Sequence, residues 1–411
     1  MTFLGVLQFI FYIIVALLVL LFMITVHELG HYAAGKIFKF TILEFAIGFG
    51  PAIYKRTLKS GEIFSIRIFP LGGYCAFGED DISEDKTKAE LALGEETAAE
   101  VKAEATPSAS PPPIERGMDG KKKWQEQKPW QRIIVLAAGA FMNFVVSILI
   151  ILVLFASYGQ NLIRIDGVMM TEEKKDENGN VTEIIDYSSY NNFVPGDIIK
   201  KIEGKTMYLT SDYQSVLKGK KKGDIIRFTV INNGSEFERD VTIRRDINVK
   251  NLEDNGLFYC IGVNIEWNED GSGRYMLENQ SVRLGFFETI AGTFVYAFKI
   301  AGTIFVVLGQ LLTGVLSLNA LGGPVTTISL TAQVASMGFK YLLEIMAFIG
   351  VNLALFNILP LPALDGSRIV FTAIEWVRGK PVNRKVEAYI HFAGIILLLG
   401  FAVFVDLLKL F

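Results

Sequence analysis

Long uninterrupted runs of apolar residues alternate with charged segments along this chain of 411 residues. Four of these runs predict helices that cross a membrane: residues 3–31, 133–157, 341–359 and 392–411. An α-helix rises about 1.5 Å per residue, so about 20 apolar residues cross a hydrocarbon core of about 30 Å. The pattern therefore predicts a multi-pass α-helical membrane protein with about four transmembrane helices.

A fifth apolar stretch, residues 286–316, is interrupted by Glu288 and Lys299 and soon followed by Gly322-Gly323-Pro324. If this stretch crossed the membrane completely, the end of the 341–359 helix would emerge on the side opposite to the end of the first helix. We therefore expect residues 280–338 to form interfacial or partly inserted helices.

The segments between the spans predict different structures. Residues 63–69 alternate loosely between apolar and polar, and Pro70-Leu71-Gly72-Gly73 predicts a turn, so 1–78 should hold the first transmembrane helix followed by a β-hairpin. Residues 79–128 are acidic, then Ala/Glu-rich, then Ser/Pro-rich, which predicts a disordered loop. Residues 129–158 hold the second span, 160–250 a small β-rich domain, and 339–411 the third and fourth spans.

Composition and charge fit a membrane protein with water-facing parts. Hydrophobic residues make up 51% of the chain and charged residues 20%. The net charge of −3 argues against a nucleic-acid partner, and the two cysteines, Cys75 and Cys260, do not suggest a disulfide framework. Basic residues cluster in 36–59, 121–132 and 368–385. The positive-inside tendency then places the N-terminus outside, the 36–131 loop in the cytoplasm and 158–285 outside.

The first span ends in His27-Glu28-Leu29-Gly30-His31. Residues four apart share one face of a helix, so both imidazoles can bind one zinc ion while Glu28 acts as a general base. Ionisable groups at membrane depth are costly and indicate function. The alternative is a chance pattern whose polar face packs inside a helix bundle. The third histidine, His391, is expected to be an interfacial residue and not a metal ligand.

The third span ends in the sequence from Asn357 to Gly366, which contains Pro360 and Pro362. Two prolines so close together prevent a continuous helix, so the backbone must be extended here. Asp365 is a candidate third zinc ligand, and two histidines with one carboxylate leave a fourth position for water. The amide of Asn357 could bind substrate or stabilise an oxyanion. The alternative for Asp365 is an ordinary Asp-Gly turn.

Together these motifs resemble the site-2 protease family of intramembrane zinc metalloproteases in its bacterial form. The matching elements are His27-Glu28-x-x-His31, Gly48-Phe49-Gly50-Pro51 with Gly72-Gly73-Tyr74, Lys128–Arg132 leading to Gly139 and Asn143, and the Asn357-to-Gly366 motif. One departure is Ala140, where the family usually has proline. The resemblance covers nearly the whole chain except about 80–125.

The resemblance implies a zinc metalloendopeptidase that hydrolyses a peptide bond in or near the transmembrane segment of single-span membrane proteins. Substrates would be of the anti-sigma-factor or signal-peptide-remnant type. His27, His31 and Asp365 would bind Zn2+, while Glu28 and Asn357 would act in catalysis. The enzyme would lie in the cell (inner) membrane with its active site near the cytoplasmic side of the bilayer.

The resemblance also assigns the segments between the spans. It implies that the hairpin is membrane-associated and pairs with extended substrate, whereas the residues alone fit an ordinary surface hairpin equally well. The pattern from Pro195 to Gly204 resembles the extracytoplasmic PDZ domains of the family, here expected to act as a gate or size filter.

Two other functions remain open. One is a membrane-anchored zinc protease for soluble peptides, although such enzymes follow the motif with a large soluble catalytic domain. The other is a non-enzymatic membrane adaptor that holds partners through the PDZ-like domain, although an adaptor has no use for the carboxylate of Glu28.

Overall fold

The computed structural model describes residues 3–78, 121–175, 181–186, 192–247, 257–263, 265–267, 273–317 and 321–409. Most of the loop predicted over 79–128 therefore lies outside the described residues. The chain divides into two compact units, which are described separately. The first comprises Met1–Ile151 with Ile300–Phe411, and the second comprises Leu152–Lys299.

The described residues form these helices: α1 Phe3–Ile37, α2 Pro129–Tyr158, α3 Thr210–Leu217, α4 Leu257–Cys260, α5 Phe286–Leu312, α6 Pro324–Ser336, α7 Phe339–Ile358, α8 Asp365–Arg378 and α9 Arg384–Leu408. Five of them, α1, α2, α5, α7 and α9, are long and apolar enough to cross a membrane. Four of the five coincide with the predicted spans. The fifth, α5, covers the segment for which the sequence predicts an interfacial helix.

Small residues bring the helices of the first unit close together. A methyl group built on Gly30 of α1 would stand 2.2 Å from the carbonyl oxygen of Ala138 in α2. On α7, a methyl group at Gly350 would stand 2.2 Å from Oγ of Ser147, also in α2. Helices inside membranes associate through such contacts because lipid gives them no hydrophobic driving force. Gly30 and Gly350 thus let α1, α2 and α7 approach closely around the site.

Strands β1 (Ile42–Thr57) and β2 (Ile63–Phe77) form the sheet that follows α1. Both strands bend, β1 around Gly48 and Gly50 and β2 around Gly72, all of which have positive φ. Because of these bends, residues 44–47 pair with 63–66 and also with 73–76, while 52–57 pair with 63–67. The predicted turn at Pro70–Gly73 is therefore the bend inside β2, and the tip that joins β1 to β2 lies at residues 58–62.

A buried carboxylate fixes this sheet to the end of α1. Glu62 is fully buried, accepts a hydrogen bond from Tyr32 at 3.0 Å and one from Ser60 at 2.7 Å, and pairs with Lys36. Burial alone would raise the pKa of Glu62, but the charge and hydrogen bonds of these donors outweigh it and lower the pKa to about 2. Glu62 therefore stays ionised at neutral pH.

The second unit is built on an antiparallel sheet whose strands differ in length. Its strands are β3 Gln160–Ile165, β4 Thr171–Lys175, β5 Val181–Asp186, β6 Asp197–Ile202, β7 Lys205–Thr206, β8 Ile225–Asn232, β9 Ser235–Thr242, β10 Ile265–Trp267, β11 Gly273–Tyr275 and β12 Leu277–Val282. The main sheet has the order β12-β3-β6-β8-β9, with β7 paired to β6. One face covers a core that includes Ile165, Ile199 and Phe228. β12 adds a strand from beyond the predicted end at 250.

The two charges that interrupt α5 have partners within the second unit. Lys200 on β6 donates to Glu288 at 3.0 Å and to Glu236 at 2.5 Å. Lys299 pairs with Asp212 on α3. The first half of α5 is thus attached to the β-rich domain by ion pairs, which explains why charged residues occur in an otherwise apolar helix.

Candidate metal and active site

His27 and His31 lie one turn apart on α1 and point to the same side. Their exposed fractions are 8% and 7%. The two Nε2 atoms are 3.0 Å apart. This spacing follows from the helix, since residues i and i+4 are stacked on one face.

The other ring nitrogen of each histidine faces a neighbouring helix. Nδ1 of His31 is 2.8 Å from the carbonyl oxygen of Val135 on α2. A carbonyl only accepts, so Nδ1 of His31 carries the proton and Nε2 keeps its lone pair. Nδ1 of His27 is 3.4 Å from the side-chain amide of Asn357 on α7. Turning that amide by 180° would present its oxygen, which gives His27 the same proton arrangement.

Asp365 reaches the two histidines because α7 stops short of it. The helix ends at Ile358, Pro360 and Pro362 prevent its continuation, and α8 begins at Asp365. Oδ2 of Asp365 lies 2.9 Å from Nε2 of His27 and 3.3 Å from Nε2 of His31. Residues 338 positions apart in the sequence thus meet.

The turn before Asp365 is held by two further contacts. A methyl group at Gly366 would stand 2.2 Å from the carbonyl oxygens of both Ile358 and Leu359, so only glycine fits where α8 doubles back on α7. Ala363 adopts φ 79°, and its N–H donates to Nδ1 of His391 on α9 at 3.2 Å. His391 therefore supports the turn that carries Asp365.

His27, His31 and Asp365 form a donor set that suits zinc. They are the one group of three or more such residues, among those described, whose ligand atoms lie within 4.8 Å of one another. Their separations of 2.9, 3.0 and 3.3 Å approach the edge of about 3.3 Å expected for a tetrahedron with bonds of about 2.0 Å. Two imidazoles and one carboxylate also leave a fourth position for water. The residues present therefore fit a hydrolytic zinc site.

Glu28 lies beside this donor set in a cavity of about 310 Å³. The lining residues are Ile24, His27, Glu28, Asn143, Leu353, Asn357, Ala363, Leu364 and Asp365. The backbone N–H of Cys75 on β2 donates to the Glu28 carboxylate. A methyl group at Gly73 would stand 3.4 Å from Cγ of Glu28. The arm of β2 after its bend therefore runs directly past the candidate general base.

Gly139 of α2 faces the ligand atoms. A methyl group built on it would stand 2.4 Å from Nε2 of His31 and 2.8 Å from Cε1 of His27. The backbone of α2 carries this methyl group and cannot easily move away, because Gly30 already holds α1 and α2 at close approach.

We therefore expect Gly139→Ala to weaken zinc binding about 10- to 100-fold, as changes next to ligating histidines do. Competition with a chromogenic chelator on the purified protein measures this. Gly309→Ala on α5 is the matched control, because a methyl group there meets nothing within 4 Å. An unchanged zinc Kd for Gly139→Ala would contradict the steric argument.

The structure brings together all five residues that the sequence proposes for the site: His27, Glu28, His31, Asn357 and Asp365. It places Asn357 against His27 as well as in the cavity wall, so this amide can orient the imidazole. Sequence reasoning missed the backbone groups, namely the carbonyl of Val135 and the N–H of Cys75. Any residue type supplies these groups, so no sequence pattern could have revealed them.

Comparison with known proteins gives a consistent result. The model for peptidase family M50 matches residues 15–401. The zinc metalloprotease RasP of Bacillus licheniformis is 28% identical over 420 residues, covering 91% of this chain and 92% of that protein. The regulator of sigma-W protease RasP of Bacillus subtilis is 28% identical over 427 residues, with the same coverage of 91% and 92%.

Proposed function

The chain belongs to peptidase family M50, the site-2 protease family, and on this premise we propose that it hydrolyses a peptide bond in or near the transmembrane segment of single-span membrane proteins. As in its relatives, the activity is that of a zinc metalloprotease, which implies Zn2+ as the cofactor. The observation that carries the proposal is the convergence of Asp365 with His27 and His31 beside Glu28, on a first helix that is long and apolar enough to span a membrane.

In this proposal His27, His31 and Asp365 bind the zinc. Bound zinc supplies a Lewis acid that polarises the substrate carbonyl and lowers the pKa of water toward about 7. Val135 and Asn357 hold the two imidazoles in the tautomer that leaves Nε2 available. The turn fixed by Gly366 and His391 keeps the carboxylate of Asp365 in place.

Glu28 performs the proton transfers. Its carboxylate lines the same cavity as Asp365 and is held by the Cys75 N–H, so it can accept the proton of the attacking water. The same group returns the proton to the leaving amine. One carboxylate therefore serves both halves of the reaction, and a purely adaptor-type membrane protein would not need it.

The substrate must be locally unwound to react, because a helix hides its carbonyls in hydrogen bonds between residues i and i−4. The arm of β2 over residues 73–77 offers an edge for the unwound segment. In a β-strand, the N–H groups of residues two positions apart face the same edge. The N–H groups of Gly73 and Phe77 therefore face the same edge as the Cys75 N–H, which contacts Glu28. Strand addition at this edge would place extended substrate beside the general base.

We also propose that α1, α2, α7 and α9 cross the membrane and that α5 lies at its outer surface. Ion pairs attach α5 to the β-rich domain as far as Lys299. The remaining residues, 300–312, would extend only about 20 Å as a helix, which is short of a bilayer core of about 30 Å. With four crossings, the ends of α1 and α7 lie on the same side of the membrane, as contact between His27 and Asp365 requires. Basic residues place that side in the cytoplasm.

We further propose that residues 160–250 form an extracytoplasmic PDZ-like domain that acts as a gate or size filter. None of the proposed zinc ligands lies in it, so its removal should leave the chemistry intact and relax any limit on the size of the substrate's outer portion. Substrates of the anti-sigma-factor or signal-peptide-remnant type fit such a limit. The relative in Bacillus subtilis is named as a regulator of sigma-W.

Cleavage of a matched substrate set tests this function. The wild-type protein in proteoliposomes should cut a single-span substrate within its apolar segment, and faster when Gly or Pro replaces Leu there, because these residues make unwinding easier by about 1 to 3 kcal/mol each. A soluble peptide with the same cleavage sequence should be cut more slowly. Preference for the soluble peptide would contradict intramembrane proteolysis and favour the membrane-anchored protease for soluble peptides.

A further inference from the structure

The cavity wall contains a buried polar side chain that the mechanism leaves unused. Asn143, on α2, is 0% exposed and lines the cavity together with His27, Glu28 and Asn357. Neither Oδ1 nor Nδ2 of Asn143 has a hydrogen-bond partner among the residues that the structure describes. The amide therefore faces the reaction site with its full hydrogen-bonding capacity.

Such an arrangement costs stability. A buried amide without partners destabilises the folded protein relative to a paired one, because it has lost its hydrogen bonds to water and gained none. The other buried polar side chains of α2 each have a partner: Oγ of Ser147 donates to the backbone carbonyl of Asn143 at 2.8 Å, and the terminal guanidinium nitrogens of Arg132 donate to Glu375 at 2.5 and 3.1 Å. The side chain of Asn143 thus makes no hydrogen bond that holds the described helices together, and a leucine of similar size would pack there at lower cost.

The amide of asparagine has one acceptor oxygen and one donor NH₂ group, which complement the N–H and C=O of a peptide group. An unwound substrate brings peptide groups without partners into this site, where few waters can satisfy them. Asn357 also carries an amide, but one end of it already contacts His27. Of the two asparagines that line the cavity, Asn143 is the one whose donor and acceptor both lack a partner among the described residues.

We propose that Asn143 binds the peptide backbone of the unwound substrate beside the scissile bond. The inference rests on the proposed function, because it requires an extended polypeptide in the cavity. It assigns to α2 a direct part in holding the substrate, in addition to the proposed strand pairing with the edge of β2.

The first test is Asn143→Leu. We expect kcat/KM on a membrane-inserted substrate to fall about 10- to 100-fold, as for loss of hydrogen bonds to a desolvated peptide group. Zinc stoichiometry should be unchanged and the melting temperature equal or higher, because the variant removes an unpaired polar group. Asn143→Ala should lose activity similarly. Ser147→Ala, one turn further along α2, is the control and should cleave at the wild-type rate.

A loss of zinc together with a lower melting temperature in both Asn143 variants would show a structural role and overturn the proposal. Cleavage by both variants at the wild-type rate would overturn it as well, while leaving the proposed function untouched. If the wild type itself failed to cut the membrane-inserted substrate but cut the soluble peptide, the proposed function would fail and the inference with it.

The second test replaces single substrate amides by esters, one at a time, on either side of the scissile bond. An ester lacks the N–H donor and has a weaker acceptor, so one position should slow the wild type about tenfold. At that position the ester should slow Asn143→Leu no further, because the partner is already gone. Easier unwinding caused by the ester affects both enzymes equally and cancels. If at every position the fold-loss from the ester and the fold-loss from Asn143→Leu multiply, the two changes act independently and the assignment is wrong.

Discussion

Replacement of Glu28 by glutamine is expected to abolish hydrolysis while leaving zinc bound. Glutamine preserves the size of the side chain and can still accept from the Cys75 N–H, but it cannot take a proton from water. General acid–base catalysis is worth about 10²- to 10⁴-fold, and one carboxylate serves both proton transfers here, so we expect the upper end of that range. Single-turnover cleavage of a membrane-inserted substrate and zinc analysis of the same sample measure the two properties.

The control for Glu28→Gln is Glu126→Gln, the same chemical change at an exposed turn before α2. It should cleave normally. Glu28→Gln should also accumulate bound, uncut substrate, which cross-linking can detect in cells. Residual hydrolysis within tenfold of the wild type would show that another group accepts the proton.

Removal of any one of the proposed ligands is expected to release the metal. Asp365→Asn keeps the shape of the side chain, whose oxygen lies 2.9 Å from Nε2 of His27, but removes the negative charge that would bind the metal ion. His31→Ala leaves only two ligands. Both variants should contain far less than one zinc per chain and lose at least about 10³-fold in kcat, since the site then lacks its Lewis acid.

A matched control for the metal experiment is Asp406→Asn on α9. The carboxylate of Asp406 accepts from the N–H groups of Val325 and Thr326 at the start of α6, at 2.9 and 3.1 Å, and takes no part in the zinc set. This variant should be less stable yet retain zinc. Stoichiometric zinc in both Asp365→Asn and His31→Ala would refute the ligand assignment.

The long apolar helices and the two histidines on one face of α1 were predictable because their physical causes are local. Twenty apolar residues without charge have few alternatives to a membrane helix, and a spacing of four places two imidazoles on one face. The two prolines between Ile358 and Asp365 likewise show where α7 must end. That these two motifs meet is not visible in either pattern alone, and the structure places Oδ2 of Asp365 2.9 Å from Nε2 of His27.

Other features depend on tertiary contacts that a sequence does not display. The bend of β1 at Gly48 makes residues 44–47 pair on two sides, which a simple hairpin pattern does not predict. The apolar length of α5 gave no hint that Glu288 would pair with Lys200, nor Lys299 with Asp212. The second contacts of the histidines come from backbone atoms and from Asn357, 330 residues away from His27.

For the proposed reaction inside the membrane, the size of the cavity beside Glu28 determines how much water is at hand for hydrolysis. A volume of about 310 Å³ with several polar walls can store more than one water molecule before the substrate arrives. Each turnover consumes one of these molecules, so the supply is local and refills when product leaves. The chemical step should then be insensitive to sucrose or other excluded osmolytes in the bulk. The pause between turnovers should instead lengthen as water activity falls, because the cavity must be refilled with water from the surrounding solution.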